Sequence, residues 1–360
     1  MRFPIGKMQY AFAFLLVILT TNVLMGQELL KQHVDNPGQT AAVDSPGQTA
    51  MKDAAAVDNT GQTPMKDTAP TGHVPGVLPQ TMDAIPGPVG LAVVTGNGIS
   101  YHGGPVLKGN PVKFYVIWYG NWSGSGSNTM ASVSLVEHFI NTLGNTPYEK
   151  IATTYGDTTG NVSGNVTLGG HTFVVTSTNL TDASLQTTVK NALTSGALPT
   201  DAGGVYFVLS SSNINETSGF CTQYCGFHTH ATLNGVDIKY AFVGNPDRCQ
   251  SACEIQATGP NSPAAGVGGA DGMINVFAHE QFEAITDPDL NAWFDSAGNE
   301  DSDKCNFNFG VTTNTCVAGS LCTPAGIAAH AKWDVSFGNN DWMIQEQWKN
   351  SGGGGCVLHL

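Results

Sequence analysis

Cysteine is missing from the first 220 residues, basic side chains are few, and no apolar run reaches the length of a bilayer span. The 360 residues carry 14 Lys and Arg against 28 Asp and Glu, a formal net charge of −14. A surface of that sign repels phosphate backbones and anionic lipid, which excludes nucleic acid as a partner, and a membrane too once the leader described below is removed. Charged residues make up only 12% of the chain and hydrophobic ones 41%, so the chain is not an acidic disordered one and has material for a core. A Gly-x-Ser-x-Gly elbow, a P-loop and the dinucleotide glycine fingerprint are also absent. Serine hydrolases of the usual α/β type, nucleotide enzymes and dehydrogenases therefore lose their sequence support.

What is present begins with a leader. Arg2 and Lys7 precede nine apolar residues, Ala11 to Leu19, and small or polar residues follow to Gly26. That order reads as a secretory signal peptide over 1–26. In 27–85 the string Val-Asp-x-x-Gly-Gln-Thr recurs at Val34, Val43 and Val57, and Met-Lys-Asp at Met51 and Met65. The spacing is irregular and no apolar face accompanies it, so the stretch reads as a duplicated linker or a propeptide rather than a solenoid. The folded domain is expected over 86–360.

Within it, Val112 to Tyr119 is a β-branched and aromatic run stopped by Gly120, which predicts a buried strand. Val133, Val136, Phe139, Ile140 and Leu143 recur at helical spacing before Gly144. Leu185, Val189, Ala192 and Leu193 predict a second helix between Asp182 and Gly196. Val205 to Leu209 and Ile238 to Val243 read as further core strands. Strands alternating with helices predict a single mixed α/β domain with a central mixed sheet.

The sharpest chemical signal is His279-Glu280-Gln281-Phe282-Glu283, inside an apolar stretch that Asp271 can cap and Pro288 must end. On a helix, His279 and Glu283 share a face about 6 Å apart along the axis and can reach one cation. Glu280 can then accept a proton from the attacking water as general base. This is the His-Glu-x-x-His arrangement of zinc metallopeptidases with Glu in the second ligand position, and it predicts a zincin-like helix. A third ligand is needed. Asp287 lies about 12 Å further along a continuous helix, so Glu300 is the better candidate: the turn-rich stretch before it can bring it back, and Cys305 can pin it there. The ligand set His279, Glu283 and Glu300 implies one divalent metal, zinc first, with manganese or calcium as alternatives for so hard a set of donors. His228 and His230 fall on one face of a strand and could reach the same cleft, although a structural role is the commoner fate of such residues.

All eight cysteines lie between Cys221 and Cys356, which suits a disulfide set formed in an oxidising compartment better than Cys-x3-Cys zinc knuckles. Asn121, Asn161, Asn165, Asn179 and Asn215 open Asn-x-Ser/Thr acceptor sites.

Several strings in order carry a resemblance. They are Tyr101-His102-Gly103-Gly104-Pro105-Val106-Leu107-Lys108-Gly109, then Val116 to Gly120, Gly219 to His228, Tyr240 to Asn245, Cys249 to Cys253, and Asp271-Gly272-Met273-Ile274, with a weaker echo at Ala329-His330. This chain resembles the phosphate-induced/EXORDIUM family of secreted proteins. The plant members are extracellular and linked to growth promotion and hormone response, with no settled biochemical activity. Their pattern lacks His-Glu-x-x-Glu after Asp-Gly-Met-Ile, so the resemblance implies secretion and fold kinship and supplies no catalytic residue. Two functions follow as expectations. One is a secreted metal-dependent hydrolase acting on a peptide or protein substrate. The other is a non-catalytic extracellular or cell-wall-associated binding or signalling protein, in which exposed aromatics such as Trp122, Trp293, Trp342 and Trp348 would stack on an extracellular polysaccharide.

Overall fold

A computed structural model describes residues 98–254, 259–261, 269–311 and 333–360. All of them belong to the second of two units in the chain, Lys66–Leu360. The leader, the repeats, the start of the folded domain before residue 98, Cys316, Cys322 and His330 lie outside the described residues.

Five strands make the central sheet: β1 (Val112–Tyr119), β2 (Val166–Val174), β3 (Val205–Ser210), β4 (Gly226–Leu233) and β5 (Val236–Val243). Their order is β2-β1-β3-β5-β4, parallel throughout except for β4, which runs antiparallel to β5 at one edge. The expected mixed α/β architecture with a mixed sheet is therefore present. β3 is buried at every position, as a strand covered on both faces must be. That explains why its sequence shows no alternation. β2 is not evident in the sequence because Gly169 and Gly170 interrupt it and Thr167, His171 and Thr172 break its apolar pattern.

Helix α1 (Met130–Leu143) is capped by Thr129, whose hydroxyl accepts from the Ser132 amide, and ends at Gly144. Helix α2 (Asp182–Thr194) opens with a capping box between Thr181 and Ser184, so Asp182 is its first residue rather than its cap. Helix α3 (Gly269–Thr286) carries the His-Glu-x-x-Glu string and stops before Asp287-Pro288, as the proline requires. Its start lies further back than expected. Asp271 does not cap it but sits in the first turn, where its carboxylate accepts from the Asn261 amide and side chain at 3.1 and 2.9 Å.

Every residue of α3 from Asp271 to Thr286 is buried, which is why the stretch shows no amphipathic stripe. One side rests on the sheet, where Phe277 meets Phe207 and Phe114 with ring centroids 4.4 and 5.8 Å apart, and it also meets Phe139 of α1 at 6.2 Å. The opposite side is covered by chain from both 300–305 and the C-terminal 342–348. Ser302 Oγ donates to the His279 carbonyl, and Gln347 Nε2 to the Ala278 carbonyl and the Tyr148 hydroxyl. Trp122, Trp342 and Trp348 are buried, which corrects the expectation that they are exposed for sugar stacking; Trp293 is half-buried.

Disulfides Cys221–Cys249 and Cys225–Cys253 join the two Cys-x3-Cys pairs residue by residue, and Cys305–Cys356 ties the 300–305 segment to the C-terminus. Those six sulfurs are consumed and cannot be zinc ligands. Among the described residues no helix is long and apolar enough to cross a membrane.

Candidate metal centre

Three pieces of chain meet at the buried middle of α3. The helix contributes His279, Glu280 and Glu283, all fully buried. The edge strand β4 contributes His228. The turn after the helix contributes Glu300 and Asp303, brought back by two carboxylate-centred bends. Asp287 Oδ1 accepts from the amides of Asn291 and Ala292 at 2.6 Å each, and Asp295 Oδ1 from those of Ala297 and Asn299. The expected return of the chain to the helix is thus built from Asp side chains that substitute for backbone acceptors. Gly226 lets the strand approach closely enough: a Cβ there would stand 2.8 Å from Glu280 Oε1 and 2.7 Å from Val276.

The polar atoms fall into two groups that share Glu283. In the first, His279 Nε2 lies 2.9 Å from Glu283 Oε1 and 3.6 Å from Asp303 Oδ1. In the second, His228 Nδ1 lies 3.5 Å from Glu283 Oε2 and 3.9 Å from Glu280 Oε2, and its Nε2 is 3.6 Å from Glu300 Oε1. His279 and Glu283 are therefore together, as their spacing predicted. Glu300 joins Glu283 but groups with His228, while Asp303 stands beside His279. Asp303 was missed, although the acidic string Glu300-Asp301-Ser302-Asp303 just before Cys305 is its visible signal. His228 was one of two strand histidines singled out, and the structure separates them. His228 enters the cluster, whereas His230 faces Asp237 at 2.9 Å.

Both rings have one nitrogen committed elsewhere. His228 Nε2 donates to the Asp287 carbonyl at 3.3 Å. His279 Nδ1 pairs with Gln345 Oε1 at 3.2 Å; Gln345 spends its amide hydrogens on the Ser302 carbonyl, so its oxygen is the acceptor and the ring donates. What remains, His228 Nδ1 and His279 Nε2, points at carboxylates. Neither nitrogen makes a hydrogen bond of acceptable geometry, nor do Glu283 Oε2 and Asp303 Oδ1. Metal-ligating histidines show this pattern, with the outer nitrogen held by a protein acceptor and the inner one aimed at the ion.

The electrostatics show how much negative charge the cluster has to compensate. Burial disfavours a charged ring at His279, yet the carboxylates of Glu283 and Asp303 outweigh it and hold its pKa well above the imidazole value. Burial pushes Glu283 up, but His279 and His228 pull it down to about 2. Glu300 and Asp301 are driven well above the carboxylate range, by burial first and then by Glu283; Asp303 rises to about 6 for the same reasons. So much buried negative charge needs a positive partner, either protons or a metal ion.

The conserved region described as phosphate-induced protein 1 matches residues 99–350. This chain belongs to the phosphate-induced protein 1 family. Two Arabidopsis thaliana relatives are similar to it. EXORDIUM-like 3 is 30% identical over 283 residues, which cover 70% of this chain and 80% of that protein. EXORDIUM-like 5 is 32% identical over 222 residues, covering 54% of this chain and 59% of the relative. No solved structure matches, so the expected kinship of α3 with the zincin helix has no structural support.

Proposed function

We propose that this phosphate-induced protein 1 family member is a secreted, metal-dependent hydrolase. One divalent cation, zinc first, is held by His279 and Glu283 with Asp303 beside them, and Glu280 acts as general base. The observation that carries this reading is the His279 ring, buried, its Nδ1 held by Gln345 and its Nε2 aimed at two carboxylates. The donors fit the ion, since two atoms each about 2.1 Å from one metal stand roughly 3 to 3.5 Å apart. Bound there, the cation supplies a Lewis acid. The remaining chemistry is the chain's own: Glu280, one residue from His279 and fully buried, can take a proton from an attacking water, and Gln345 fixes the ring's orientation. A peptide or protein is the substrate class this arrangement suits. Secretion is supported by the leader and by the three disulfides, which persist outside reducing compartments.

One observation favours the second reading, a non-catalytic extracellular binding or signalling protein. A catalytic metal keeps a position open to substrate, and here His279, Glu280, Glu283 and Glu300 are all fully buried. Elemental analysis of the mature protein and of three variants, alongside turnover of a peptide library, separates the two. Glu280→Gln is expected to keep its metal and lose at least about 100-fold in hydrolysis. His279→Ala and Glu283→Ala are expected to lose the metal. Stoichiometric metal with no turnover in the wild type would make the ion structural and establish the second reading.

A further inference from the structure

The two groups at the centre are distinct: His279 and Asp303 close one, His228 and Glu300 the other, and within each the candidate ligand atoms lie inside 4.8 Å of one another. Glu283 belongs to both. Its Oε1 is 2.9 Å from His279 Nε2 and its Oε2 is 3.5 Å from His228 Nδ1, so the two oxygens of one carboxylate face opposite rings. We infer that the centre is built for two divalent cations bridged by Glu283, the second of them held by His228, Glu283 and Glu300.

Three independent features carry this. First, each ring gives one nitrogen to a protein oxygen and leaves the other, His228 Nδ1 or His279 Nε2, without a hydrogen bond and facing Glu283. His228 is 3% exposed, and its Nδ1 faces the carboxylates of Glu283 and Glu280 at 3.5 and 3.9 Å. Second, both Glu283 Oε2 and Asp303 Oδ1 are buried without a hydrogen bond, one in each group. Burying such an oxygen without a partner is costly. Third, each group brings a carboxylate of its own besides the shared Glu283: Asp303 Oδ1 lies 3.6 Å from His279 Nε2, and Glu300 Oε1 lies 3.6 Å from His228 Nε2. A bridging carboxylate holds two ions about 3.5 to 4 Å apart, the spacing at which both can act on one substrate oxygen.

The inference rests on the proposed metal-dependent function, and the test keeps the two separable. The full mature chain is stripped, reloaded with Mn2+ alone, desalted and measured for Mn2+ per chain, and its electron paramagnetic resonance spectrum is recorded. Two ions per chain with an exchange-coupled spectrum are expected. His228→Gln and Glu300→Gln, each checked for native circular dichroism, are expected to halve the content to one ion and to restore the six-line signal of isolated Mn2+. One ion per wild-type chain overturns the second site and leaves the first reading intact, and no bound ion overturns both. Two ions giving uncoupled six-line signals, or two ions retained in both folded variants, also overturn the assignment.

Discussion

Glu149 shows what burial does to a carboxyl that has no cation to meet. It is fully buried, and its Oε2 accepts from Gln281 Nε2 at 3.1 Å, while Glu149 Oε1 and Gln281 Oε1 make no hydrogen bond. Burial, assisted by Asp301, raises it from 4.5 to about 8 against the opposing bond from Gln281. The unfolded carboxyl ionises near its ordinary value, so the folded state carries no penalty below about 4.5, a growing one as pH rises, and the full one above about 8. Glu149→Gln removes the titration and lets the two amides pair reciprocally. The variant is expected to melt higher than the wild type by at least about 2 to 4 °C at pH 8.5, with the gap closing towards pH 4.5. Thermal melts across that range check it, and a pH-independent gap would show that Glu149 is not the group responsible.

Among elements, α3 and the segment that folds back on it decide the site. The helix was legible because a long apolar run with a proline at its end has few alternatives, and the i, i+4 placement of His279 and Glu283 follows from helical geometry alone. Its burial on every side was not legible, since periodicity reports one face against solvent and is silent about a second layer. The return of Glu300 was readable from turn residues and Cys305. Its choice of His228 over His279 was not, because that depends on the sheet register setting β4 antiparallel at the edge. Gln345 left no trace in the sequence: a single amide about 65 residues away carries no spacing signal. The fold-back also depends on Cys305–Cys356, which closes a loop of 51 residues. In the chain-entropy account such a loop is worth about 4 kcal/mol. Cys305→Ser with Cys356→Ser is therefore expected to lower the denaturation midpoint by a comparable free energy. A midpoint unchanged to within about 0.5 kcal/mol would show that the fold-back holds without its bond.

For the whole molecule, an ion at the centre couples to folding, because the unfolded chain offers no assembled ligand set. Metal in hundredfold excess over its dissociation constant adds about 2.7 kcal/mol, which for a domain of this size raises the melting temperature by roughly 5 to 10 °C. Chelator-treated protein is expected to melt lower by that amount and to recover with zinc or manganese; equal melts would mean that the folded state binds neither. Cys225–Cys253 gives this coupling a history. Cys225 immediately precedes Gly226 and anchors the very start of β4, three residues before His228, to the one-turn helix Gln250–Cys253. A copy held under reducing conditions lacks that anchor and keeps His228 in place through the pairing of β4 with β5 alone. On the two-ion proposal, the second group is then expected to capture its ion only after thiol oxidation, and a preparation's metal content would be a record of the compartment in which it matured.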